Sequence, residues 1–105
     1  MLYHLISRSQ FDGQPADEPY FAASLADEGF IHLSATPQQV AWVAANLYPD
    51  VLDLAVLVID ESLLTAPVRY DETPDGVFPH LYGTLDRDAI VAIEPVWAIV
   101  AHGGC

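Results

Sequence analysis

The chain contains no lysine and only three arginines, Arg8, Arg69 and Arg87, against fifteen carboxylates, giving a formal net charge of −12. Nucleic-acid binding depends on a basic footprint that neutralises phosphates, and none exists here. Anionic membrane surfaces repel such a chain for the same reason. An anionic ligand would have to be held by one of the three arginines, of which Arg8 is taken as the ligand-binding candidate, or by N–H groups at a helix start. Cysteine is nearly absent too. Cys105 stands alone at the last position, which excludes an intrachain disulfide and a cysteine-built zinc site. No apolar run approaches the roughly twenty residues of a membrane span, and no basic segment leads into one. The expected location is the cytoplasm. The chain has no Gly-x-Ser-x-Gly elbow, no phosphate-cradling Gly-x-x-x-x-Gly-Lys loop and no Gly-x-Gly-x-x-Gly turn.

Apolar residues make up 52% of the 105 residues and charged residues 17%, so the chain can bury a core and is expected to fold as a single domain over 1–105. So large an apolar share in a short chain also suggests a surface covered by a second copy, a homodimer. Met1 to Ser7 reads as a strand with Leu2, His4 and Ile6 on one face. Ser9 to Pro19 reads as a loop and Pro19 to Glu28 as a helix closed by Gly29. Phe30 to Ser34 reads as a strand placing Phe30, His32 and Ser34 together. Thr36-Pro37-Gln38-Gln39 signals a helix start with a capping box, and this helix runs to Tyr48. Leu54 to Ile59 is an unbroken apolar run, expected as a central strand. A weaker strand covers Val68 to Tyr70. Ala89 to Ile93 and Val96 to Val100 are read as late strands broken at Pro95. Strands and helices mix without strict βαβ alternation, which favours an α+β fold with a mixed sheet and two main helices.

Histidine is the side chain best suited to proton transfer near neutral pH. His4 and His32 fall inside strand-like segments, and His80 sits between Pro79 and Tyr82. These three are the candidate catalytic residues, and Ser34, Tyr82 and Arg8 the candidate ligand-binding residues. The alternative for each histidine is a half-buried side chain with a hydrogen-bond partner. His102 falls in an expected frayed tail and receives no role. No His-x-His or His-x-x-x-His pair exists, so no metal ligand set is assigned, although Asp60 or Glu61 could supply a carboxylate. Ser34 lies two residues beyond His32 on one strand face, too far for a direct hydrogen bond. Trp42 is read as core or interface.

The opening Tyr3-His4, the segment Gly29-Phe30-Ile31-His32-Leu33-Ser34, the run Val58-Ile59-Asp60 and the segment Phe78-Pro79-His80-Leu81-Tyr82-Gly83 occur in that order. Together they resemble a bacterial family of small domains of unknown function, similar in fold to the ADP-ribosyltransferase-like superfamily. The resemblance covers nearly the whole chain. It implies a split, strongly bent sheet with a cleft for a nicotinamide dinucleotide (NAD) between its halves. It also implies that His4 and His32 hold a ribose, that Ser34 lies beside them, and that Tyr82 stacks on a ring. Many transferring members use a late glutamate; Glu94 lies in a late strand but is followed by Pro95 and is not assigned that role, and three arginines are too few for RNA phosphate chemistry. Two readings therefore stand. One is an active or degenerate ADP-ribosyltransferase-like protein binding NAD or an ADP-ribose derivative. The other is a non-catalytic module for a small ligand or a protein. A metal-dependent enzyme using histidine ligands is third.

Overall fold

A computed structural model describes residues 1–103, with side chains through residue 100. Cys105 lies outside the described residues. Strand β1 (Leu2–Ser7) pairs antiparallel with β3 (Leu54–Ile59), which pairs antiparallel with β6 (Ile90–Pro95). A second sheet has the order β2 (Ile31–His32), β5 (Gly76–Leu81), β4 (Val68–Thr73), again antiparallel throughout. The architecture is α+β with a split sheet. The expectation of a mixed sheet is corrected: every strand pairing in both sheets is antiparallel.

Among the described residues, the two sheets meet at a single bridge. Tyr3 N–H donates to the Ser34 carbonyl at 2.9 Å and Ser34 N–H to the Tyr3 carbonyl at 2.7 Å. Continued antiparallel, that ladder would bond Leu5 N–H to the His32 carbonyl two residues on. Instead the His32 carbonyl receives the His4 ring, Nδ1 lying 2.7 Å away. The sheets therefore part just after Tyr3. The backbone N–H and C=O of Leu5 point the same way as those of Tyr3, away from β3 and into the gap.

The described residues form four α-helices where two main helices are expected. Helix α3 (Pro37–Leu47) begins as its sequence dictates, with Thr36 Oγ1 accepting from Gln39 N–H. The reciprocal contact is displaced by one residue, because Gln39 Oε1 accepts from Ala35 N–H. Helix α2 (Ala23–Glu28) starts later than Pro19, since Tyr20 is held extended by its bridge to Leu85. Two expectations fail. The loop after Ser7 contains a short helix α1 (Arg8–Asp12), capped by Ser7 Oγ. The segment from Val96 is helix α4 (Val96–Gly103), not a strand. Its β-branched residues favour a strand locally, but Val96, Ile99 and Val100 pack against the cluster of Leu5, Val40 and Val56 beneath α3. Burial on a helix face overrides the local preference. The backbone of His102 belongs to this helix. No helix of the described residues is long and apolar enough to cross a membrane.

The larger core cluster lies on the other face of β1. It gathers Leu2, Ile6, Phe11 and Tyr20 with Ile31, Leu57 and Leu81.

Candidate functional site

The gap between the sheets is a cavity of about 380 Å³. His4, His32, Ser34 and His80 all line it. Helix α3 closes one side with Trp42, Val43 and Tyr48, and α1 adds Gln10. Three histidines, from β1, β2 and β5, thus contribute to one lining. Tyr82 and Arg8 are not in its lining. Arg8 pairs with Asp12 at 3.1 Å on the exposed surface of α1. Tyr82 lies behind His80, with the Arg69 guanidinium 5.0 Å from its ring centroid. Glu94 is on β6 opposite Val56, also outside the lining.

The three histidines occupy different chemical settings. His4 is 6% exposed, and both its ring nitrogens are bonded. A carbonyl can only accept, so Nδ1 carries the proton toward the His32 carbonyl. Nε2 then accepts from the Tyr20 hydroxyl at 3.1 Å. Burial holds His4 down to about 4, well below its usual 6.5. Burial likewise pushes the Tyr20 hydroxyl far above its usual range. His4 is therefore a neutral strut across the split.

His32 points outward. Its Nε2 lies 2.7 Å from Glu28 Oε2, one turn back across Gly29, and its side chain is 53% exposed. An exposed pair of this kind contributes little to stability.

His80 sits opposite His32 on β5, their ring centroids 5.2 Å apart and nearly perpendicular. Phe30 stacks on His80 at 4.1 Å. Its Nδ1 lies 2.8 Å from Asp71 Oδ2. The same oxygen accepts from the Tyr82 hydroxyl at 2.5 Å. The Tyr82 hydroxyl and then the His80 ring hold the Asp71 carboxyl below the usual carboxylate range. The same bond raises the Tyr82 hydroxyl. An ionised carboxylate only accepts, so His80 donates from Nδ1. Nε2 has no protein partner among the described residues, where no fully buried side-chain polar atom lacks one. Nε2 must therefore retain access to solvent. The same holds for Ser34 Oγ, although Ser34 is only 2% exposed.

Asp71, Tyr20, Phe30 and Glu28 are the residues that sequence reasoning missed. Asp71 had a discoverable signal. With Arg69 opposite His80 in the β4–β5 hairpin, Asp71 falls diagonal to His80 on the same face. Ending β4 at Tyr70 hid it. No group of three or more His, Cys, Asp or Glu among the described residues is arranged to hold a metal ion.

Residues 5–93 match the family described as "Protein of unknown function (DUF952)". The chain belongs to this family. Protein CC0527 of Caulobacter crescentus has a solved structure similar to this one, at 30% identity and a TM-score of 0.73. The match covers 88% of this chain and 82% of that one. A double mutant of the same protein matches at 29% identity with the same TM-score and coverage. No curated protein matches the chain.

Proposed function

We propose that this domain binds a small molecule in the cavity between its sheets, and that the part of a nicotinamide dinucleotide this cavity suits is the nicotinamide ribosyl end without the diphosphate. The observation that carries the reading is the lining itself. It combines apolar walls with polar groups that have no protein partner among the described residues, His80 Nε2 and Ser34 Oγ, which is the composition of a ligand site. The free edge of β1 adds a backbone donor and acceptor at Leu5, spaced for a carboxamide. Trp42, Tyr48 and Phe78 offer ring faces. The volume lies at the small end of ligand pockets, which run from roughly 300 to 1,000 Å³.

Charge narrows the ligand further. The lining contains no arginine, and its one carboxylate is Asp75. A diphosphate would find no cation there and would meet the field of a −12 chain. A neutral or cationic aromatic glycoside meets no such barrier, and a cationic ring gains from the aromatic walls.

The test is thermal unfolding with nicotinamide, nicotinamide riboside, NAD and ADP-ribose, each at millimolar concentration. A ligand at a hundredfold its dissociation constant adds about 2.7 kcal/mol, which is several degrees for a domain of this length. The riboside is expected to stabilise and ADP-ribose to leave the midpoint unchanged. No shift with any of the four rejects the reading. A shift with ADP-ribose alone rejects the exclusion of the diphosphate.

A further inference from the structure

We infer that His80 is the proton-accepting residue of this cavity, and that Asp71 and Tyr82 are positioning residues that fix its ring with the Nε2 lone pair toward the ligand. The inference rests on the cavity being the site, and it assigns a division of labour among the three histidines.

His4 is excluded on geometry, because both nitrogens are committed within the protein. His32 is exposed and commits its Nε2 to Glu28. His80 alone combines three restraints with one free nitrogen. Asp71 Oδ2 fixes Nδ1 at 2.8 Å. Phe30 stacks on the ring, 15° from parallel, and blocks rotation. Tyr82 donates to the same carboxylate oxygen, so Asp71 is itself held. A carboxylate–imidazole pair of this form selects one tautomer and stabilises the imidazolium formed on protonation. The step it supports is a single proton transfer. The O–H or N–H bond of a ligand group, or of a bound water, breaks, and its electron pair stays on that oxygen or nitrogen. The proton bonds to Nε2, and Asp71 balances the new charge. The ligand class is accordingly one that presents a hydroxyl or N–H to Nε2. Ser34 Oγ, at the bridge to Tyr3 and without a protein partner among the described residues, is placed to take a second hydrogen bond.

Long-range ¹H–¹⁵N NMR on the whole, uniformly labelled chain at about pH 8, where free histidine is neutral, reports the tautomer of each ring. The expected His80 spectrum is that of the Nδ1–H form, with Nε2 unprotonated. Asp71→Ala is expected to release the ring into a mixture of tautomers, and Tyr82→Phe, which removes the second hold on Asp71, to move the ring part-way toward that mixture. Unchanged His4 ring signals certify the fold of each variant. An Nε2–H form in the wild type, or an unaltered ring in Asp71→Ala, overturns the inference. A second readout needs no variant. Diethyl pyrocarbonate acylates accessible unprotonated imidazole nitrogens, so His80 is expected to be modified and His4 spared. Protection of His80 equal to that of His4 overturns it as well. If the His80 tautomer and reactivity are as expected while no small molecule shifts the unfolding midpoint, the binding reading fails and the ring assignment stands.

Discussion

His4 shows how one side chain can both divide a sheet and hold the division. Its ring takes the carbonyl that Leu5 N–H would take in a continuous ladder. Removing it as His4→Ala breaks one buried and one part-buried hydrogen bond and leaves a void, at a cost of about 2–5 kcal/mol. Equilibrium urea unfolding checks this. The same residue gives stability a pH dependence of known sign. Folded His4 titrates at about 4 and the unfolded residue at 6.5. Between those values the unfolded chain binds more protons, so stability falls as pH falls. The contribution is complete above pH 6.5 and is lost progressively down to about pH 4, amounting to about 3 kcal/mol. Unfolding at pH 7 and pH 4.5 should show this loss in the wild type. It should be largely absent in His4→Gln, and an equal loss in both would contradict the assignment.

Among the elements, the connection after β5 leaves no room for a side chain at Gly83. A Cβ on Gly83 would lie 2.6 Å from the Ala66 Cβ. Gly83→Ala is therefore expected to destabilise by about 1–3 kcal/mol, and Ala66→Gly in the same chain to restore most of the loss. A midpoint that the second substitution leaves unmoved would contradict the clash. Much of this level was legible in the sequence. The apolar run Leu54–Ile59 coincides with β3, and Thr36 with Pro37 marks the start of α3. Those segments carry their signals locally. Helix α4 was not legible, because Val96, Ile99 and Val100 favour a strand until α3 and β3 provide a surface for one helical face. Helix α1 was hidden by the turn residues that follow it, Gly13 and Pro15. At the site, alternation grouped His4 with Leu2 and Ile6, and His32 with Phe30 and Ser34, and it marked the histidines as out of place among apolar neighbours. It could not show that the His4 ring would be consumed by Tyr20, sixteen residues away, or that Asp71 would reach His80 across a hairpin.

For the whole molecule, fifteen carboxylates against three arginines make the compact state self-repelling. Salt screens exposed charges over about 10 Å at 0.1 M. Unfolding free energy is expected to rise between low and moderate sodium chloride, and a decrease would show that specific ion pairs outweigh the net charge. The same field shapes what can enter the cavity, since a phosphate would approach a −12 surface to reach a lining without arginine. The split sheet, the neutral strut at His4 and the oriented His80 all converge on that one space. Nicotinamide riboside titrated into ¹⁵N-labelled protein tests this most directly. The expected result is saturable movement of the Leu5, Ser34 and His80 backbone signals, with the surface of α4 unaffected. No movement at millimolar ligand, or movement confined to residues outside the cavity, would contradict it.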